Sequence, residues 1–215
     1  MKILNLYACL GGNRYKWNEV KEDIEVTAVE LDPDLARMYQ ERFPNDKVIV
    51  ADAHEYLLNN FKDFDFIWSS PPCPTHSKVR VSQKNRKEFD FKFPDMKLYE
   101  EIIFLDNFFV GKWCVENVIP YYKPLIQAQK RGRHLYWTNF RLPNSLNERK
   151  QPKDFIMTGS KPNENFHEID LTNYKGKQRK DKIARNLVDY EAGKTIFATA
   201  CGIIEQKKTE QGKLF

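Results

Sequence analysis

The sequence has few cysteines, no long apolar run, and no internal repeat or low-complexity segment. Its four cysteines, Cys9, Cys73, Cys114 and Cys201, are far apart and form no CxxC pair. This spacing argues against a zinc site and against a disulfide framework, and it suits a reducing cytosol. No apolar run approaches the length of a membrane span, and Met1–Leu6 is too short and too soon polar for a signal peptide. We therefore expect a cytoplasmic protein without membrane or metal partners.

The length and charge of the chain set broad limits. It has 215 residues, with 35 lysines and arginines against 30 aspartates and glutamates, which gives a formal net charge of +5. This length supports one domain with a sizeable core. The mildly basic charge permits a polyanionic partner without requiring one. Aromatic residues make up 13% of the chain, which indicates a folded protein rather than a disordered one.

Strand-like and helix-like segments alternate through the first two thirds of the chain. Residues 78–92 are polar without an apolar period and are predicted as a loop. A βαβ alternation predicts an α/β fold, with a mainly parallel twisted sheet and helices on both faces. The predicted strands are 3–7, 24–31, 48–50, 64–68, 113–116 and 135–140, and the predicted helices are 15–22, 32–43, 53–61 and 94–109.

The composition changes after Leu142. Residues 143–182 are rich in lysine, asparagine and proline, and we expect a small irregular region there. Apolar residues return after Lys182 and predict two helices with a break near Asp189. The expected organisation is therefore a core at 1–142, a small region at 143–182, and C-terminal helices at 183–215 that return to the core.

Three polar or glycine-containing features follow the first three predicted strands. The first is Tyr7-Ala8-Cys9-Leu10-Gly11-Gly12, whose glycines permit a sharp turn close to a ligand. Glu30 ends the second strand, where a carboxylate can bind ribose hydroxyls, and Asp52 ends the third, where it can accept from an adenine amine. Each feature alone is also explained by a turn or a helix start. Together they predict an adenosine-containing ligand, and the absence of a P-loop argues against a nucleoside triphosphate.

The fourth predicted strand ends in Ser70-Pro71-Pro72-Cys73. Neither proline has an N–H to continue the ladder, so the chain must leave the sheet and place a thiol at its edge. Ligands bind at this edge of open α/β sheets, which makes Cys73 a candidate nucleophile, although many free cysteines are buried and inert. The ladder also leaves the carbonyls of Pro71 and Pro72 unpaired, and we expect both to be free to face a ligand.

The fifth predicted strand ends in Val115-Glu116-Asn117-Val118. Burying an acid and an amide at the end of a strand is costly if they serve only packing, so a site is favoured. Glu116 is expected at the same sheet edge as Cys73.

The ordered set YACLGG, VELDPD, VADA, SSPPC and VENV resembles the C5-cytosine-specific DNA methyltransferase family over most of residues 3–120. Residues 132–140 resemble the arginine-bearing strand of this family. Residues 184–188, with Gly193 and Phe197, resemble the last motif of its compact, phage-type members. The resemblance implies a Rossmann-like methyltransferase fold that uses S-adenosylmethionine and leaves S-adenosylhomocysteine. It also implies double-stranded DNA as the partner of a monomer, in the cytoplasm of a bacterium or of a phage-infected host, with residues 143–182 recognising the target.

The resemblance implies covalent catalysis on a cytosine that is flipped out of the duplex. The Cys73 thiolate would attack C6, C5 would take the methyl group, a base would remove the C5 proton, and Cys73 would leave. A protonated Glu116, with a raised pKa, would donate to N3. Arg133 would place positive charge at O2, with Arg131 as the alternative.

The resemblance also implies two sets of binding residues. For the cofactor they are Tyr7, Ala8, Cys9, Leu10, Gly11, Gly12, Glu30, Leu31, Asp52, Ala53, Pro71 and Asn186. A basic loop after Cys73 and a second basic run in the small region would contact DNA phosphates, although a solvated charged surface explains the loop equally well. The predicted DNA-binding residues are Ser77, Lys78, Arg80, Lys84, Arg86, Lys175, Lys177 and Arg179.

The sequence departs from the family at two motif positions and leaves other functions open. Cys9 stands where the family has glycine, and Pro74 where it often has glutamine. An amino methyltransferase acting on cytosine N4 or adenine N6 could use Ser70-Pro71-Pro72, but it would carry an aromatic residue in place of Cys73. An RNA methyltransferase of the same chemistry is a second alternative. An inactive DNA-binding accessory protein is a third, which the presence of both Cys73 and Glu116 disfavours.

Overall fold

Seven strands form one sheet in the part of the chain that the computed structural model describes, which is residues 1–82, 85, 90, 92–152 and 160–204. The strand order is β3-β2-β1-β4-β5-β7-β6. The strands are β1 (Lys2–Leu6), β2 (Glu25–Glu30), β3 (Lys47–Val50), β4 (Phe66–Ser69), β5 (Lys112–Val118), β6 (Gln129–Arg131) and β7 (His134–Thr138).

The first five strands are parallel, and β7 runs antiparallel to both of its neighbours. The chain builds outward from β1 in one direction through β2 and β3, and then crosses to β4 on the other side of β1. A change of direction of this kind opens a crevice at the carboxyl ends of the strands, where ligands bind. The predicted α/β fold with a mainly parallel sheet is therefore confirmed.

Side chains of β1 and β4 alternate between two apolar layers, as a pleated strand requires. Ile3, Phe66 and Trp68 pack on one face of the sheet, and Leu4 and Ile67 pack on the other. Helices cover both faces. They are α1 (Pro33–Arg42), α2 (Ala53–Asn60), α3 (Lys78–Val81), α4 (Lys97–Phe108), α5 (Ser160–His167), α6 (Lys180–Asn186) and α7 (Tyr190–Ala200). Helices α2 and α4 pack on the Leu4 face and α7 packs on the Ile3 face.

Local capping explains where α1, α2 and α7 begin. The side chains of Asp32, Asp52 and Asp189 accept hydrogen bonds from backbone N–H groups in the first turns of these helices. Such caps satisfy donors that have no partner within the helix. The predicted break between two C-terminal helices near Asp189 is confirmed.

The predicted helix over 15–22 is wrong, because the structure contains only a 3-10 turn at Trp17–Glu19. The Trp17 ring is fully buried, and its centroid lies 6.0 Å from that of Phe66, 6.1 Å from Trp68 and 5.2 Å from Phe197. One turn is sufficient to bury this ring before the chain continues to β2.

Two further elements differ from the sequence prediction. Strand β6 was not predicted, since Gln129, Lys130 and Arg131 have no apolar alternation and the strand pairs only with β7. The predicted loop over 78–92 begins with the short helix α3, and residues 83–84, 86–89 and 91 lie outside the described residues. Helix α5 also formed where an irregular region was expected.

Helix α7 meets the loop after β1 at Gly193. A Cβ atom on Gly193 would overlap the backbone of Asn13, and the Gly193 carbonyl accepts a hydrogen bond of 3.3 Å from the Trp17 indole. No helix interior prefers glycine for its own sake, so this glycine is explained by the close approach of two backbones.

We expect Gly193→Ala to lower the free energy of unfolding by about 2 kcal/mol or more, although alanine is the better helix former, because backbone cannot move aside as a flexible side chain can. Urea unfolding followed by circular dichroism measures this change. The control is Gly202→Ala, where a Cβ would meet nothing within 4 Å and only the positive φ of 73° is strained, so about 1 kcal/mol is expected. Equal stability of Gly193→Ala and the wild type would contradict the predicted overlap.

Candidate active site

A cavity of about 360 Å³ opens at the carboxyl ends of the parallel strands. Cys73 lies in its lining, and so do eight of the twelve residues predicted to bind a cofactor. Those eight are Tyr7, Cys9, Glu30, Leu31, Asp52, Ala53, Pro71 and Asn186. The cavity therefore joins the ends of the first three strands to the Pro-Pro-Cys turn.

The other four predicted cofactor residues, Ala8, Leu10, Gly11 and Gly12, are buried and do not line this cavity. A Cβ on Gly11 would overlap the Phe43 ring, and a Cβ on Gly12 would lie 2.5 Å from the Val188 carbonyl oxygen. These glycines let the first loop pack against its neighbours, so they shape the cavity from behind.

The first loop contains two non-glycine residues in the left-handed region, Tyr7 with a φ of 55° and Cys9 with a φ of 47°. The Cys9 N–H donates a hydrogen bond of 2.8 Å to Glu30 Oε2, and the Asp32 N–H donates one of 2.9 Å to Glu30 Oε1. Glu30 thus holds the loop and the start of α1 together. Each of its oxygens retains a lone pair that can accept a further hydrogen bond from a ligand.

Burial raises the pKa of Glu30, whereas the N–H donors of Asp32 and Cys9 act in the opposite direction. The pKa of Asp52 is lowered, first by the backbone N–H of Glu55, and the Lys97 ammonium lies 3.7 Å from Asp52 Oδ2. Asp52 is therefore ionised at neutral pH and can act as a hydrogen-bond acceptor at the cavity wall.

The turn at Cys73 is held by hydrogen bonds. The N–H groups of His76 and Ser77 both donate to the Cys73 carbonyl, at 3.0 and 3.1 Å. The Asn117 side-chain amide donates a hydrogen bond of 2.9 Å to the Pro71 carbonyl. The expectation that the carbonyls of Pro71 and Pro72 are both free is therefore wrong for Pro71, because an amide on the next strand reaches it.

Cys73 carries a protonated thiol in this environment. Its pKa is raised, first by burial and then by the negative charge of Glu116, while Lys182 and Arg133 act in the opposite direction. Two positive side chains thus face the thiol, and a thiolate there is stabilised once the neighbouring carboxylate loses its charge.

Glu116 lies on β5 with only 7% of its surface exposed. Burial raises its pKa from 4.5 to about 7, against a hydrogen bond from Ser70 and the charge of Arg133. The raised pKa predicted for Glu116 is confirmed. A carboxyl group with this pKa is substantially protonated near neutral pH and can donate a hydrogen bond.

Arg133 and Arg131 have different surroundings, although only Gly132 separates them. Arg133 is half-buried, interacts electrostatically with Glu116 and Cys73, and donates a hydrogen bond of 3.3 Å to the Arg185 carbonyl. Arg131 instead donates to the carbonyls of Pro143 at 2.5 Å and Leu142 at 2.8 Å. The structure thus brings Arg133 to Cys73 and Glu116, and it uses Arg131 to hold the following chain.

Three residues near these groups were not predicted from the sequence. His134 Nε2 lies 3.7 Å from Glu116 Oε1, and burial lowers the pKa of His134 to about 3, so the imidazole is neutral. Lys182 lines the cavity from α6. Glu101 is fully buried on α4 beside Tyr7. Its sequence signal is a carboxylate within the apolar periodicity of that helix.

The predicted DNA-binding residues lie on two surfaces. The first surface follows Cys73. There Ser77 forms an isolated bridge with Pro120, and Lys78 is exposed at the start of α3, which also contains Arg80. Lys84 and Arg86 lie outside the described residues. The second surface presents Lys175, Lys177 and Arg179, which are all exposed.

The second surface is docked on the start of α1. The Tyr174 hydroxyl donates to Asp32 Oδ2 at 2.7 Å, and the N–H groups of Lys175 and Gly176 donate to Asp34 Oδ2 at 2.5 and 3.0 Å. Gln178, which follows them, lines the cavity. The basic run therefore borders the cavity, and Arg179 is also paired with Asp181 at 3.0 Å.

Within the described ranges, no cluster of three or more histidine, cysteine, aspartate or glutamate side chains could hold a metal ion. Among the same residues, no helix is both long and apolar enough to cross a membrane.

Comparisons with known proteins point to one family. Residues 1–102 match the model of the C-5 cytosine-specific DNA methylase family, so the resemblance seen in the motifs is confirmed for this part of the chain. The chain is also 29% identical over 113 residues to the Type II methyltransferase M.Bsp6I of Bacillus sp. (strain RFL6). That alignment covers 50% of this chain and only 36% of the relative.

Solved structures of methyltransferases give weaker similarities. A DNMT2 variant from Spodoptera frugiperda is 25% identical, with a TM-score of 0.38, over 54% of this chain and 35% of that chain. A TehB-like SAM-dependent methyltransferase from Corynebacterium glutamicum is 18% identical, with a TM-score of 0.33, over 54% of each chain. Both TM-scores are low, and the fold is defined by the strand order given above rather than by these similarities.

The raised pKa of Glu116 predicts a pH-dependent stability. The folded-state pKa of about 7 lies above the ordinary 4.5, so the unfolded chain releases this proton at a lower pH than the folded chain. The wild type should therefore lose stability as the pH rises from about 4.5 to about 7. We expect the free energy of unfolding to fall by up to about 3 kcal/mol relative to Glu116→Gln over this range. Urea unfolding at a series of pH values from 4.5 to 8 measures the difference.

The matched control is Glu25→Gln, at an exposed position of β2, which should follow the wild type at every pH. A constant difference between the wild type and Glu116→Gln across the whole range would show that Glu116 has an ordinary pKa.

Proposed function

We propose that this chain, whose residues 1–102 match the C-5 cytosine-specific DNA methylases, transfers a methyl group from S-adenosylmethionine to C5 of cytosine in DNA. The observation that carries the proposal is the grouping of Cys73, Glu116 and Arg133 beside a cavity whose other walls carry Glu30 and Asp52. A nucleophile, an acid and a fixed positive charge lie together next to acceptors suited to an adenosine.

The cavity suits S-adenosylmethionine by the chemistry of its lining. Glu30 and Asp52 offer acceptors for ribose hydroxyls and for the adenine amine, and Tyr7, Leu31 and Ala53 offer apolar surface. The cofactor, when bound, supplies an electrophilic methyl group. The second basic run and Gln178 lie along the same cavity, so DNA contacts there would be close to the bound cofactor.

The reaction follows from the electronic demand of cytosine, whose C5 is a poor nucleophile. Attack of the Cys73 thiolate on C6 forms a C–S bond and moves electron density to C5 and N3. Glu116 donates a proton to N3, and Arg133 stabilises charge at O2. C5 would then take the methyl group as the methyl–sulfur bond of the cofactor breaks and leaves S-adenosylhomocysteine. Loss of the C5 proton to a base would break the C–S bond to Cys73, and N3 would return its proton to Glu116, which restores the ring, the thiolate and the acid.

The pKa values of Cys73 and Glu116 are coupled in the direction that this reaction needs. The negative charge of Glu116 is the second largest cause of the raised pKa of Cys73. Protonation of Glu116 removes that charge and leaves Lys182 and Arg133 to favour the thiolate. The same protonation state thus supplies the acid for N3 and lowers the cost of forming the nucleophile.

The alternative functions use this arrangement less well. Transfer to an exocyclic amine needs no covalent attack, so neither Cys73 nor a buried acid with a raised pKa would have a role. Such enzymes require only the Ser-Pro-Pro turn. We infer that the substrate is duplex DNA with the cytosine flipped into the cavity, that residues 143–182 contribute to target recognition, and that the protein acts in the cytoplasm as a monomer.

We expect the wild type to form a covalent adduct with duplex DNA that contains 5-fluorocytosine, because fluorine at C5 cannot be removed as a proton and the C–S bond is trapped. The protein is incubated with S-adenosylmethionine and long, varied DNA, and the adduct is measured on a denaturing gel. Cys73→Ser should abolish the adduct and lower methylation of ordinary DNA at least about a thousandfold.

The matched control is Cys201→Ser, which removes a partly exposed thiol at the end of α7 and should form the adduct like the wild type. Absence of an adduct from the wild type on both fluorinated DNA and fluorinated RNA would contradict the C5 mechanism. An adduct with fluorinated RNA but not DNA would contradict the DNA substrate alone.

Substitution of the two arginines on either side of Gly132 should have different effects, on catalysis for Arg133 and on stability for Arg131. Arg133→Ala is expected to slow adduct formation by about a hundredfold or more, since a fixed charge at O2 is lost. Arg131→Ala should instead lower the free energy of unfolding by about 1–3 kcal/mol, because two carbonyls of the chain at 142–143 lose a charged donor. Single-turnover adduct kinetics and urea unfolding measure the two effects, and a slower adduct in Arg131→Ala alone would reverse the assignment.

A further inference from the structure

We propose that Glu101 is a positioning residue of the cofactor cavity, which holds Tyr7 in the conformation that lines the cavity. The proposal rests on the function inferred above, because it concerns the same S-adenosylmethionine pocket. Glu101 itself is fully buried on α4 and is not part of the cavity lining. It acts through Tyr7, which is part of that lining.

Three side chains from three segments converge on the Glu101 carboxylate. The Tyr7 hydroxyl, after β1, donates to Oε1 at 2.6 Å, and the Ser69 hydroxyl, at the end of β4, donates to Oε2 at 2.6 Å. His54 Nδ1, on α2, lies 3.1 Å from Oε1. Each of these residues is in the cavity lining or adjacent in sequence to a lining residue, namely Ala53 or Ser70.

Packing does not explain a carboxylate at this position. The neighbouring inward positions of α4 are Leu98, Ile102 and Leu105, which belong to the main apolar cluster. Burying a carboxylate among them is costly unless its oxygens are hydrogen-bonded. Here both oxygens are hydrogen-bonded, Oε1 by the Tyr7 hydroxyl and Oε2 by the Ser69 hydroxyl. The carboxylate is therefore best explained by the groups that it holds.

The conformation of Tyr7 gives the clearest reason for an anchor. Its φ of 55° lies in the left-handed region, where the Cβ of a residue other than glycine comes too close to the following carbonyl oxygen. Such a conformation persists only when its surroundings impose it. Cys9, the next strained residue of the loop, is held through its N–H by Glu30, and Tyr7 is held through its hydroxyl by Glu101. Two buried carboxylates thus support the two strained residues.

His54 also lies against a second carboxylate, which provides a matched control. Its pKa is raised, first by the hydrogen bond to Glu101, and its Nε2 lies 3.5 Å from Oε2 of Glu100. Glu100 is on the same helix and approaches the same histidine, but its side chain is 60% exposed. Glu100 contacts His54, whereas Tyr7 and Ser69 donate their hydrogen bonds to Glu101. Glu100→Gln therefore removes a nearby negative charge without removing the anchor.

The test is equilibrium binding of S-adenosylmethionine to purified variants, measured by calorimetry. Glu101→Gln keeps the size of the side chain but cannot accept strong hydrogen bonds at both terminal atoms. We expect its Kd for S-adenosylmethionine to rise roughly tenfold, while KM for DNA at saturating cofactor changes less than about twofold. Glu100→Gln should bind the cofactor like the wild type. Tyr7→Phe should weaken binding by a similar factor, and the double variant Tyr7→Phe/Glu101→Gln should add little further.

Different outcomes overturn different claims. If the wild type binds no S-adenosylmethionine, the proposed function fails and this inference fails with it. If the wild type binds the cofactor but folded Glu101→Gln binds equally well, or if Glu100→Gln weakens binding as much as Glu101→Gln, only the positioning role is overturned. Should Glu101→Gln fail to fold, Tyr7→Phe decides, since unchanged cofactor binding by that variant also overturns the role.

Discussion

One hydrogen bond, from the Asn117 side-chain amide to the Pro71 carbonyl, joins the two motifs on which the candidate active site depends. The prolines end the ladder of β4, so the chain beyond Ser69 has no strand to hold it. Asn117 is the neighbour of Glu116 on β5, and its amide replaces the missing ladder contact. The turn that carries Cys73 is thereby attached to the strand that carries Glu116. This hydrogen bond fixes the position of the turn relative to the strand.

The charges around this junction are balanced by burial. Glu116, when ionised, raises the cost of ionising the thiols of Cys73 and Cys114. Arg133 offsets part of the cost of ionisation for Cys73 and for Glu116. The site is therefore most stable with one proton retained on Glu116, and that is the protonation state that a donor to N3 requires. Structural stability and the proposed chemistry favour the same state.

Much of the fold could be predicted because its signals are local. Five parallel strands carry dense apolar runs, and Asp32, Asp52 and Asp189 mark helix starts by side-chain caps that depend only on neighbouring residues. The polar edge strand β6 could not be found in this way, because its pairing with β7 is a tertiary contact. The 3-10 turn at Trp17 was missed for the same reason, since the ring is buried by side chains distant in sequence.

Local sequence signals also predicted one part of the candidate site, whereas the other part depends on tertiary contacts. Cys73, Glu116 and the acids that end β2 and β3 could be proposed, because each follows a strand whose carboxyl end must reach one edge of the sheet. Arg133 could not be separated from Arg131 by sequence, since the choice depends on which side chain reaches Pro143 and Leu142. Residues that only position the side chains of the cavity lining give still weaker signals in the sequence. Glu101 is recognisable there only as a charged residue on an apolar helix face.

In the loop after β1, hydrogen bonds to buried carboxylates hold residues other than glycine in the left-handed region. A glycine adopts the left-handed region at little cost, but it offers no side chain to the cavity. Tyr7 and Cys9 adopt the same region with side chains, and the cavity gains an aromatic wall and a thiol. Glu30 on β2 accepts from the Cys9 N–H, and Glu101 on α4 accepts from the Tyr7 hydroxyl. Because Glu30 also faces the cavity, a ligand that bonds to it would act on the loop through the same carboxylate, so cofactor binding and loop conformation are linked at this residue.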